Sequence, residues 1–208
     1  MKKKFEPKHI KNIFSICLIF FLTGNVETAF GQNFKGSALL GFNLAQIDGD
    51  YLYGFRKIGW SAGGKISYGI SKNKFMNLEF LYSERGSSVK LFEKSPDNKY
   101  TLRYIEIPVL FSIHDWYQED KKYYIVRAEV GLSYGALFQL VVPIVDENEF
   151  KPHDLSYVIG LGFQFTKNIS LATRYTRSMF DMLDYTLPDG RDIVFRGYFI
   201  TTRIEYQF

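Results

Sequence analysis

The stretch IVFRGYFITTRIEYQF, residues 193–208, decides how the rest of the sequence is read. Tyr198, Ile200, Thr202, Ile204, Tyr206 and Phe208 alternate with Thr201, Arg203, Glu205 and Gln207. Period two marks a β-strand, because successive side chains point to opposite sides of an extended chain. One face is apolar or aromatic through to Phe208, and the other carries two opposite charges. The fold turns on which face is inside. A water-soluble sheet packs its apolar face inward. A barrel crossing lipid turns that face to hydrocarbon and lines its lumen with the polar one.

The same alternation recurs in eight runs, 34–43, 58–70, 74–83, 100–113, 123–137, 155–166, 169–179 and 194–208. At about 10–15 residues they suit tilted membrane-crossing strands, which need about 9–11, better than the strands of soluble proteins, typically about 5–6. The connections alternate in length. Segments 44–57, 84–99, 138–154 and 180–193 are long, whereas 71–74, 114–122 and 166–168 are short. Long external loops and short periplasmic turns are the habit of outer-membrane barrels. The expected fold is all-β, an eight-stranded antiparallel up-and-down transmembrane barrel over residues 32–208.

The polar faces of these runs hold glycine, serine and charges. Such residues cannot fill a soluble barrel's core, but an eight-stranded lumen is barely wide enough for side chains. Lys65, Arg127, Arg174 and Arg203 are expected to pair there with Glu79, Glu106, Glu129 and Glu205, since an unpaired buried charge is costly. The opposite faces carry, for example, Leu78 and Phe80, Val126 and Val130, and Ile159 and Leu161. Trp60, Tyr82, Tyr134, Tyr157, Tyr175 and Tyr198 fall toward the external rim. Tyr68, Phe111, Tyr124, Phe165, Tyr206 and Phe208 fall toward the periplasmic rim, giving two aromatic girdles. Arg177 takes the lipid-facing register near the external rim. Pro108 lacks a donor, which predicts a bulge or irregular pairing in the fourth strand.

The beginning of the chain reads differently. Lys2, Lys3, Lys4, Lys8 and Lys11 precede the apolar run IFSICLIFFL, 13–22, and Ala29-Phe30-Gly31 follows. This is the layout of a secretory signal peptide over residues 1–31, too short in its apolar part to span a bilayer as a helix. Five lysines and two glutamates there account for three of the net +4 charges, so residues 32–208 carry about +1. That balance gives no case for nucleic-acid binding. Cys17, the single cysteine, lies in the apolar run, so the exported domain is expected to hold no disulfide.

Chemistry-bearing residues are sparse. His114 is expected at a periplasmic turn. His153 lies near Asp154 and Ser156, but a histidine and a serine three apart on a strand face opposite ways, so no catalytic triad is expected. The acids in DGD (48–50) and DENE (146–149) do not complete a calcium loop. No metal, cofactor or catalytic residue is expected. YLYGF (51–55) and LVVPIV (140–145) are apolar for loops; LVVPIV is expected either to extend the barrel above the membrane as a hairpin or to contact a partner.

Several segments together resemble the PorT-like family of bacterial outer-membrane β-barrel proteins. They are GFNLAQIDGD (41–50), KIGWSAGGKISYGIS (57–71), LEFLYSERGS (78–87), YIEIPVLF (104–111), AEVGLSYG (128–135), VIGLGFQFTKNISLATRYTRS (158–178) and the terminal EYQF. The resemblance implies an eight-stranded outer-membrane barrel. Its founding member is implicated in secretion of cargo across the outer membrane, a role that barrel similarity alone does not transfer. Tyr206 and Phe208 resemble the terminal aromatic signal read by the barrel insertion machinery. The expected function is structural, adhesive or secretion- and assembly-associated, without a wide pore. Expected partners are outer-membrane lipid and lipopolysaccharide, the insertion machinery and a protein at the external loops. The alternatives are a barrel enzyme acting on lipid or lipopolysaccharide, and a soluble lipocalin-like carrier.

Overall fold

The computed structural model describes residues 34–49, 54–92, 95, 99–141, 150–186 and 192–208. The segment 1–31, most of YLYGF and LVVPIV, and all of DENE lie outside the described residues.

Eight strands close into one antiparallel barrel. They are β1 (Phe34–Asp48), β2 (Lys57–Ser71), β3 (Lys74–Ser88), β4 (Lys99–Gln118), β5 (Tyr123–Val141), β6 (His153–Gln164), β7 (Ile169–Ser178) and β10 (Arg196–Gln207). Each pairs with its chain neighbours, and β10 closes the ring on β1, from Ser37 opposite Gln207 to Asp48 opposite Arg196. Closure removes every sheet edge, the condition for placing strands in lipid where no water can satisfy free backbone groups. Two short strands, β8 (Asp184–Thr186) and β9 (Asp192–Val194), form a separate hairpin in the segment read as the last long loop, taking Val194 from the expected eighth strand, which starts at Arg196.

The strands extend past their expected external ends, to Asp48 in β1, Ser88 in β3 and Val141 in β5. β4 and β5 run 20 and 19 residues, far beyond what a bilayer requires, so their ends stand outside it. His114 is therefore no turn residue. It lies within β4 opposite Arg127, and its Nε2 is 3.3 Å from the Ser112 hydroxyl.

Pro108 produces no bulge. It sits in register opposite Ser133 on β5, while the β3–β4 ladder lapses between Leu78–Val109 and Leu81–Glu106 without a register change. The missing N–H removes a rung and leaves the strand count intact. A bulge instead falls at Arg103/Tyr104 in the β4–β5 ladder, and a second irregularity at Gly69/Ser71 in the β2–β3 ladder.

Side-chain direction inverts the soluble arrangement. Leu161 is 70% exposed, Phe80 60%, Ile204 58% and Val130 53%, whereas Arg203, Glu205, Glu129 and Glu79 are each 3% exposed or less. Rings gather at both rims. Tyr157, Tyr175 and Tyr198 neighbour one another externally at 6.2 and 6.4 Å. At the other end Phe34 lies 4.9 Å from Tyr68, and Tyr206 5.9 Å from Phe208. Arg177 lies at the external rim, 5.8 Å over the Tyr198 ring and 3.4 Å from Asp48.

Near the external end alternation gives way to continuous burial. Ala45, Gln46 and Ile47 are buried in succession, as are Arg85 to Ser88. Above the bilayer there is no lipid to face, so both sides of the chain can be covered by protein. Ile47, Leu102, Tyr104, Phe150, Met182, Leu183 and Phe195 form one apolar cluster there. Phe150 bridges Leu183, and the Met182 amide donates to the Phe195 carbonyl at 2.8 Å. This cluster is a soluble-type core set on the external end of a membrane barrel.

Candidate functional site: the ionic lumen and its cap

The deepest charge is Glu79 on β3. It accepts four hydrogen bonds, two from Arg174 at 2.8 and 2.9 Å and two from Arg203 at 2.7 and 2.9 Å. Both guanidiniums meet it as two-pronged forks, the strongest geometry for this pair. Their Nε atoms point elsewhere. Arg174 donates to Glu129 at 2.6 Å and Arg203 to Glu205 at 2.9 Å. Arg127 links the same two carboxylates, 2.6 Å from Glu129 and 2.5 Å from Glu205, and Lys65 also reaches Glu205. Strands β2, β3, β5, β7 and β10 are thus tied across the lumen by seven charges. None is solvated enough to stand alone, since a buried ion without its partner costs several kcal/mol.

Glycines make room for this network. A Cβ at Gly160 would fall 2.6 Å from Arg174 Cγ, and one at Gly162 would fall 2.6 Å from Arg127 Nε. Gly160 lies opposite Arg174 on β7, and Gly162 opposite Arg127 on β5. The small residues of the polar face are therefore the space into which the arginines lie flat.

Glu106 does not join that network. It belongs to a second cluster nearer the cap, where Arg85 donates to Glu106 at 2.8 Å and to Asp154 at 2.6 Å. The Arg85 guanidinium lies between the Tyr104 and Phe199 rings, at 4.2 and 4.6 Å. Arg85 and Asp154 escaped the sequence reading because both lie just past the assumed strand ends. Parity carried the signal: Arg85 shares a face with Glu79 and Ser83, and Asp154 with Ser156. The lower cluster has four cations and three anions, and the upper one cation and two anions, so the ten charges balance only together. A polar layer of Asn43, Ser83 and Thr201 lies on the same lumen face, its hydrogen bonds 2.7–2.9 Å long.

Nothing here assembles a triad from His153. Its ring stacks on Tyr134 and its Nδ1 is 2.7 Å from the Tyr134 hydroxyl on the outer wall, while Ser156 donates to Asp154 inside at 2.9 Å. Among the described residues no group of three His, Cys, Asp or Glu side chains is placed to hold a metal.

Above the clusters, the apolar cap lies over the external end among the described residues. At the opposite end the lumen has a recess lined by Lys35, Ser37, Lys65, Ser67 and Arg127. An apolar exterior, an ion-paired lumen and two aromatic girdles on a closed eight-stranded barrel define a small integral outer-membrane barrel. Residues 25–184 match the family model for the outer membrane protein beta-barrel domain, and the chain belongs to that family and to the outer membrane. No curated protein matches the chain by sequence. Among solved structures it is similar to Neisserial surface protein A, with 11% identity, 84% of this chain and 97% of that one covered and a TM-score of 0.48. Ail, the attachment invasion locus protein of Yersinia pestis, in complex with the heparin analogue sucrose octasulfate, gives 16%, 84%, 99% and 0.47. The N-terminal β-barrel domain of Pseudomonas aeruginosa OprF gives 12%, 83%, 97% and 0.41.

Proposed function

We propose that this chain is a non-conducting, non-enzymatic barrel of the PorT-like kind, serving a structural, adhesive or secretion- and assembly-associated role through its external surface. The observation that carries this reading is the ion-paired lumen with an apolar cluster at its external end. Among the described residues, interlocked ion pairs cross its middle and an apolar cluster lies over its external end. The PorT-like assignment is supported by the order and spacing of segments such as YIEIPVLF and AEVGLSYG. Protein partners are proposed to meet the external cap and the loops around it. Lipopolysaccharide and phospholipid meet the apolar wall.

Tyr206 and Phe208, 50% and 72% exposed on the outer wall, are proposed as the contact read by the insertion machinery. Their exposure makes them accessible before the barrel closes on β1. The purified protein in planar bilayers is expected to give no stable conductance steps; large steady openings would overturn the closed-lumen reading. Incubation with labelled phospholipid or lipopolysaccharide is expected to yield no product, and turnover lost on His153→Ala would establish the enzyme instead.

A further inference from the structure

We propose that the periplasmic mouth of the lumen is a binding site for a phosphate-class oxyanion. The recess there is lined by Lys35, Lys65 and Arg127 together with Ser37, Ser67 and Ser170, and adjoins the lower charge cluster. Two carboxylates, Glu129 and Glu205, also line it, but both are fully engaged. Glu129 receives Arg127 on one oxygen and Arg174 on the other. Glu205 receives Arg203 on one oxygen and Lys65, Arg127 and Ser170 on the other. Lys65 and Arg127 are engaged by the same carboxylates, so the cation left over at the recess is Lys35, beside the serine hydroxyls.

The charge distribution has the same sense. The lower cluster carries one cation more than its carboxylates, and the compensating anion sits above it, with Glu106 and Asp154 near the cap. Lys35 adds another positive charge at the mouth, its ammonium 5.3 Å over the Phe75 ring, with no carboxylate within ion-pair distance among the described residues. Low-dielectric walls focus such a field and draw small anions in. Several convergent N–H and O–H donors match a tetrahedral oxyanion, whose oxygens each accept charge-assisted bonds. The recess lies at the periplasmic end of the lumen, so the ligand enters from the periplasm. The ligand is either free phosphate or the phosphate of a periplasmic-leaflet headgroup.

The test uses the full barrel in nanodiscs of zwitterionic lipid, titrated with inorganic phosphate at constant ionic strength while amide shifts are followed by NMR. Saturable shifts at Ser37, Ser67 and Ser170 with a dissociation constant of about 1 mM or tighter are expected, weakened about tenfold by Lys35→Gln. Ser67→Asp, which puts a carboxylate in the mouth, is expected to abolish them. A second arm replaces free phosphate with phosphatidylglycerol in the disc; shifts confined to that arm assign the site to the headgroup. Unsaturable drift in both arms, or shifts unchanged in Lys35→Gln and Ser67→Asp proteins that retain the wild-type pattern elsewhere, would overturn the proposal. The bilayer conductance measurement is independent of this result, so the two readings fail separately.

Discussion

Glu79 illustrates what one residue does in a lumen of this kind. It is 1% exposed and is shared by two buried arginines, which also pair with Glu129 and Glu205. Glu79→Gln keeps the volume but leaves two guanidiniums sharing an amide. We expect a loss of about 3–5 kcal/mol, the usual result of removing one partner from a buried ion pair. Reversible urea unfolding in lipid vesicles, followed by tryptophan fluorescence, measures it. The rim provides the contrast. Glu84 accepts from the buried Lys57 at 2.8 Å and from the part-exposed Arg103 at 3.1 Å, and solvent screens the second of these pairs. Arg103→Ala is expected to change stability by about 1 kcal/mol or less in the same assay. The sign and face of these residues were legible in the sequence by parity alone. Which acid meets which base was not, because pairing across the lumen joins strands such as β3 and β7, far apart in the chain.

At the scale of the strand, β6 shows how one element serves two solvents. Ile159, Leu161 and Phe163 face outward, while Gly160 and Gly162 lie beneath the arginines of β7 and β5. Leu161→Arg is expected to cost about 2–4 kcal/mol near the bilayer midplane and about 0–1 near an interface, so the measured loss also reports depth. Gly160→Ala places a methyl against Arg174 and is expected to cost about 1–3 kcal/mol, the range for overpacking. Both are measured by the same unfolding assay, and a neutral Gly160→Ala would show that Arg174 has room to move. Strand existence and facing were readable because each period-two run has its own chemistry. The external strand ends were not. The run ERGSS (84–88) has the small and charged composition of a loop, yet it continues β3 because β4 pairs with it as far as Lys99.

On the scale of the whole molecule, the barrel combines a membrane protein's inverted wall with a soluble protein's core at one end. The cap is held by a few apolar side chains and by the bridge from Phe150 to Leu183, so it should open more readily than the closed wall. Leu183→Ala is expected to speed protease cleavage within the external segment 179–195 of protein in intact membranes, while the strands stay protected. Uniform cleavage throughout would mean that cap and wall unfold together. The cap was invisible beforehand because its residues come from β1, β4 and the segment around Leu183, and no one stretch shows a periodic pattern.

The sequence by itself determined the all-β class, the number of wall strands and the apolar outward face, because alternation is a local property and a strand's two sides follow from chain geometry. Only the tertiary structure decided that Glu106 belongs with Arg85 and Asp154, that Gly160 and Gly162 are seats for arginines, and that an apolar cap lies over the external end. Those facts depend on which strands meet across a narrow lumen and how far they rise beyond the bilayer, and both are set by closure of the ring rather than by any single run of residues.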